Sequence, residues 1–185
     1  MIKRSSTDEE CFDYPKLIEV FRNCDSQDKG YLTKSQYKRL VRELNLNTSK
    51  DFVDITYNAM RKMDNNTNNT YGIFFEDVKA IFEASTHRSA KTKLNSLILF
   101  RGVDDDNDGK INKSQFQKIA ILVDKKLNED EVDQIFIQCQ PDSNGNVKYS
   151  NVARKLFSLT INDDVDPYTQ NMRSTQANSY CCLMI

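Results

Sequence analysis

Four aliphatic residues, Leu32, Ile73, Ile111 and Val147, recur along the chain at separations of 41, 38 and 36 residues. A second apolar residue follows each of them five positions later: Tyr37, Val78, Phe116 and Val152. A third set, Phe21, Met60, Phe100 and Phe136, precedes them on stretches whose apolar residues have helical spacing. Periodicity of this length marks repeated supersecondary units. One helix–loop–helix cannot bury its apolar stripe alone, so such units must pair. Pairing Leu32 with Ile73, and Ile111 with Val147, gives two lobes bridged through their loops. A chain of 185 residues is long enough for two small lobes.

Local signals place the helix ends. Asp13 can cap a helix over about Tyr14 to Cys24, with Pro15 in its first turn and Leu17, Val20, Phe21 and Cys24 on one face. Thr33 with Gln36 forms a capping box, and Asn112 with Gln115 repeats it with asparagine in the hydroxyl place. Asn128 and Glu131 suit the same arrangement. These boundaries divide the chain into an N-terminal arm (1–13), a first pair of units (14–84), a polar linker (85–93), a second pair (94–159) and a tail (160–185). The loops fall at 25–36, 64–77, 104–115 and 140–151.

The chemistry concentrates in one loop. Asp104, Asp106 and Asp108 alternate, so three carboxylates converge on one point while the backbone curls around it. Gly109 follows where the turn is sharpest and a Cβ would be in the way. The Lys110 side chain is expected to point out to water. Hard oxygen ligands at this spacing suit Ca²⁺ or Mg²⁺ and suit soft metals poorly. The alternative is a surface acidic turn that holds nothing. In the loop at 25–36, Lys29 stands where Asp108 stands, so a cation already sits where one should bind. Gln140 and Asn151 replace the charged first and last places of the loop at 140–151. The loop at 64–77 is two residues longer than twelve, rich in asparagine and without a glycine at the turn, and no metal is expected there.

On these residues the chain resembles the calmodulin superfamily of EF-hand proteins, over about Tyr14 to Leu159. Leu127-Asn128-Glu129-Asp130-Glu131-Val132-Asp133 looks like the start of calmodulin's fourth unit, and Val147-Lys148-Tyr149 looks like its loop. The resemblance implies an all-α fold of two EF-hand pairs, calmodulin-like lobes; the C-terminal tail, with little apolar content from Ile161 to Tyr180, is expected to be disordered. It implies metal ligands on Asp104, Asp106, Asp108, the Lys110 carbonyl and Gln115, with Asn112 acting through water. The family's bidentate glutamate is replaced by Gln115, which removes one charge and one ligand oxygen. That costs about 1.4 to 2.8 kcal/mol, so a sensor site near ~1 μM would move to roughly 10–100 μM. The family also grips an amphipathic target helix in an apolar groove. Phe100, Phe116, Ile119, Ile135, Phe136 and Phe157 line either such a groove or the lobe core.

Composition excludes several other functions. Net charge is −1, which argues against nucleic acid as a partner. No apolar run reaches eighteen residues, and the N-terminus lacks a secretory h-region. With Ile2 in the second place, N-myristoylation is not expected. Cys11, Cys24, Cys139, Cys181 and Cys182 have no zinc or redox spacing, and reduced cytosolic thiols are expected. His87 is the single histidine and reads as a solvated linker residue. With five glycines, no phosphate-cradling loop and no nucleophile–base pair, the chain does not read as an enzyme.

The last four residues, Cys182-Leu183-Met184-Ile185, fit a prenylation box on Cys182. The alternative is a chance cysteine in a frayed end. One lipid rarely anchors a protein, so Cys181 is expected to carry a palmitoyl group as the second signal. The expected protein is a calcium-binding regulator with one low-affinity site, cytoplasmic and peripheral on the cytoplasmic face of a membrane. The alternative is a metal-independent adaptor, or a light-chain-like subunit, that clamps a partner helix.

Overall fold

The computed structural model describes residues 13–46, 49–62, 72–86 and 93–169. The N-terminal arm to residue 12, Met63, the second loop from 64 to 71, His87, linker residues 88–92 and the tail from 170, with Cys181 and Cys182, lie outside the described residues. So do the expectations that rest on them.

The order of elements is α1 (Tyr14–Cys24), β1 (Tyr31–Leu32), α2 (Lys34–Glu43), α3 (Lys50–Arg61), β2 (Ile73–Phe74), α4 (Phe75–Thr86), α5 (Lys93–Val103), β3 (Lys110–Asn112), α6 (Lys113–Val123), α7 (Glu129–Gln138), β4 (Asn146–Lys148) and α8 (Tyr149–Lys155). The fold is all-α, and among the described residues the strands are only the short ladders between paired loops. Asp13 Oδ1 accepts from the Lys16 N–H at 3.0 Å and starts α1, whose Leu17, Val20, Phe21 and Cys24 are buried. The capping boxes at Thr33/Gln36, Asn112/Gln115 and Asn128/Glu131 are all formed.

The repeat sets the pairing. β1 and β2 are antiparallel with Leu32 opposite Ile73, and β3 and β4 are antiparallel with Ile111 opposite Val147. All four side chains are essentially fully buried. Phe100, Phe116, Ile119, Phe136 and Phe157 are core, and Ile135 is partly buried against it.

The two halves share one core, which the periodicity left open. Every residue of α5 from Ser96 to Val103 is buried, so this helix is the central rod of the molecule. Gly102 sets its approach to α3. A Cβ there would overlap the Ile55 carbonyl oxygen and stand 2.5 Å from Ile55 Cγ2. Polar groups on the rod are matched: the Ser96 and Tyr149 hydroxyls lie 2.9 Å apart. In the first half the Tyr37 and Thr56 hydroxyls pair at 2.8 Å.

The tail is corrected in part. Disorder is expected from residue 160, yet Ile161 and Val165 pack on the core and Pro167 is buried. Pro167 meets the end of α5 through Arg101 and the third loop at Gly109.

Candidate metal centre

Asp104 follows the last turn of α5, and its N–H still donates to the Phe100 carbonyl at 3.0 Å. Asn107 takes the left-handed conformation (φ 61°) and Gly109 follows at φ 76°, which folds the loop back on itself. Asp104, Asp106 and Asp108 come together, with one ligand oxygen from each within 4.8 Å of the others. Asp104 is fully buried and the other two are exposed. Burial pushes the Asp104 carboxyl up to about 6, against hydrogen bonds from Tyr168 and Gly109 that favour the anion. Asn107 Oδ1 is a buried oxygen in the same loop with no hydrogen-bond donor. Three converging carboxylates offer hard oxygen donors, which fit a hard dication and fit soft metals poorly. The donor set is short by one carboxylate.

The twelfth place has a different occupation from the one expected. Gln115 Oε1 accepts from the Asn112 N–H at 2.9 Å, while Nε2 donates to the Val103 carbonyl at 2.6 Å. Val103 is the last residue of α5, and the last carbonyls of a helix have no intrahelical donor. The same clasp occurs twice more. Gln36 Nε2 donates to the Cys24 carbonyl at 2.9 Å, and Asn151 Nδ2 donates to the Cys139 carbonyl at 2.7 Å. In all three loops the amide ties the loop's end to the residue just before its start. A carboxylate has no proton to give, so an ionised Glu or Asp in the same place cannot make this bond.

In the first and fourth loops, the Asp25 and Asp142 carboxylates are already matched by protein groups. Asp25 accepts from the Lys29 and Gly30 N–H groups. The Lys110 side chain does not simply point to water: its ammonium meets Asp142 of the paired loop at 2.8 Å. That hydrogen bond foremost holds the Asp142 carboxyl down at about 2. The one carboxylate of the fourth loop is thus already matched by a cation from the third. Cys24 and Cys139 are buried free thiols, and burial pushes Cys139 up to about 12, so it is unreactive.

Residues that the sequence analysis did not single out connect this loop to the rest of the molecule. Lys62, which caps α3, donates from its ammonium to the Arg101 carbonyl at 3.0 Å and to the Asp104 carbonyl. Arg101 Nη1 returns a bond to the Lys62 carbonyl at 3.4 Å. The first residue of the acidic loop is therefore held by a helix from the other half. Gly102 carried a signal: a glycine inside an apolar helical run suggests close backbone approach. Nothing in the sequence marked Lys62 or Arg101.

Loops paired in this way between helices, one of them carrying a carboxylate trio, are consistent with an EF-hand fold. No family model matches the chain. It is 29% identical over 142 residues to human EF-hand calcium-binding domain-containing protein 11, covering 74% of this chain and 80% of that one. A smooth-muscle myosin catalytic light chain of Halocynthia roretzi is 24% identical over 75% of this chain and 91% of its own. A probable calcium-binding protein of Arabidopsis thaliana, CML18, is 23% identical over 80% and 87%. These weak relatives support a place for the chain in the EF-hand superfamily. Among the described residues, no helix is long and apolar enough to cross a membrane.

Proposed function

We propose that this protein is a calmodulin-like regulator built from four EF-hand units, acting by binding a target protein rather than by catalysis. Its one divalent site is the loop at 104–115, with Asp104, Asp106, Asp108, the Lys110 carbonyl and Gln115 as ligands for Ca²⁺ or Mg²⁺. The observation that carries this reading is the convergence of the three carboxylates within 4.8 Å on a loop that is paired through β3 and β4. The names of two relatives, both calcium-binding proteins, support the choice of ion. A bound dication would supply the positive charge that the buried Asp104 lacks. Because Lys62 of α3 holds the Asp104 carbonyl, a change at the loop reaches the first half of the molecule.

The three amide clasps favour a second reading. They close the loops without an ion, as a metal-independent adaptor requires. Likeness to a light chain supports a partner presented as an amphipathic helix. Prenylation of Cys182, with a palmitoyl group on Cys181, would hold either version at the cytoplasmic face of a membrane.

Following the Gly109 amide by NMR during a calcium titration, with magnesium present, separates the readings. A large downfield shift that saturates below about a millimolar supports the regulator. An unmoved Gly109 amide, with tight binding of a target helix in chelator, supports the adaptor. Mass spectrometry of the cell-derived C-terminus tests the lipid.

A further inference from the structure

The Asp104 carboxylate receives three donors. The Asn107 N–H reaches Oδ1 at 3.0 Å and the Gly109 N–H reaches Oδ2 at 3.0 Å. Both belong to the loop. The third comes from far along the chain: the Tyr168 hydroxyl donates to Oδ2 at 2.8 Å.

Tyr168 is held there by a built anchor. Arg101, fully buried on α5, donates from Nε to the Pro167 carbonyl at 2.7 Å and also from Nη2. Its guanidinium lies 5.4 Å from the centre of the Tyr168 ring. Pro167 itself rests on the loop, its Cδ 3.6 Å from where a Cβ of Gly109 would stand. The Tyr168 N–H donates to Asp166 Oδ1 at 2.8 Å, which fixes the turn that presents the ring. Burying a guanidinium is costly unless it is hydrogen-bonded, and here Nε and Nη2 donate to the Pro167 carbonyl while Nη1 donates to the Lys62 carbonyl. The guanidinium therefore ties the segment to α5 and to the end of α3.

We infer that Tyr168 is a positioning residue of the metal centre, and that the 165–169 segment is a strap that fixes the first ligand carboxylate before the ion arrives. The inference rests on the divalent-site reading above. A carboxylate with three donors cannot rotate freely, so the entropy of ordering it is lost in folding rather than in binding. A loop that lacks its glutamate depends more heavily on the ligands that remain. Partners that orient a ligand in this way typically contribute ten- to a hundredfold in metal affinity.

The test compares the full chain with Tyr168→Phe by calorimetric titration of calcium. Hydrogen exchange over 163–169 is measured in chelator for both. Phenylalanine keeps the ring on Arg101 and removes only the donor. The expected result is binding weakened about tenfold, with strap protection and the thermal midpoint nearly unchanged. Arg101→Gln, which frees the strap, should weaken binding at least as much and should also raise exchange over 163–169. Equal or tighter calcium binding by Tyr168→Phe overturns the inference and leaves the divalent site standing. No heat from the unsubstituted chain overturns the divalent site and this inference together.

Discussion

Gln115 Nε2 lies 2.6 Å from the Val103 carbonyl oxygen, so the last position of the acidic loop is tied to the helix that leads into it. In an EF-hand loop with a glutamate, that closure runs through the ion. Here it is made by the protein alone. The clasp and the carboxylate trio pull the third loop toward different duties, one metal-free and one metal-dependent.

Gln115→Glu tests the balance between them. The variant loses the donor to Val103 and gains an anionic, two-oxygen ligand. Calcium affinity should rise about ten- to a hundredfold by calorimetry. In chelator the variant should be less stable by about 1–2 kcal/mol, read from urea unfolding, because the Val103 carbonyl loses its partner.

Gly102→Ala addresses the contact between the halves. Its methyl would overlap the Ile55 carbonyl oxygen, and backbone cannot rotate away as a side chain can. The cost should be about 2 kcal/mol or more, despite alanine's better helix propensity. Urea unfolding measures it. The substitution should also disturb the Lys62 bonds to Arg101 and Asp104, seen as shifts in their amide resonances.

The pH dependence follows from Asp104. Burial raises its carboxyl to about 6 in the folded chain, against about 3.9 in an unfolded one. Folding thus favours the protonated form. In chelator this contribution is fully present below about pH 4 and is lost as pH rises through 6, by at most about 3 kcal/mol. The ion needs the anion, so calcium affinity should fall roughly tenfold per pH unit below 6. Thermal midpoints in chelator and calorimetry with calcium at pH 7.5, 6 and 5 should move in opposite directions.

Lys110→Met removes the ammonium from Asp142. Both groups are partly exposed, so stability should change little. The Asp142 carboxyl, held at about 2, should return toward the ordinary value near 4. A carboxyl-detected NMR titration reads this directly. Gly109 should remain responsive to calcium, because the backbone carbonyl at 110 is kept.

Much of the architecture was legible in the residues. The spacing of Leu32, Ile73, Ile111 and Val147 gave the loop pairs in their observed register. The caps at Asp13, Thr33, Asn112 and Asn128 gave the starts of four helices. The alternation of Asp104, Asp106 and Asp108 gave the one acidic cluster found among the described residues. These signals are legible because each is local: a side chain answers to neighbours within a turn or within one ladder.

The rest depends on residues distant in the chain. Gln115 reads the same in sequence whether its amide faces an ion or the Val103 carbonyl, and only the fold brings that carbonyl within reach. Arg101 looks like an ordinary basic residue at a helix end until α3 and the strap close over it. Tyr168 lies in a polar stretch with little hydrophobic content, and its hydroxyl acquires a partner because Pro167 docks beside Gly109. Periodicity and capping thus settled which units form and how their loops pair. Tertiary packing alone decided that the halves share a core and that a distant tyrosine reaches the first carboxylate, since both depend on the approach of surfaces that no local pattern encodes.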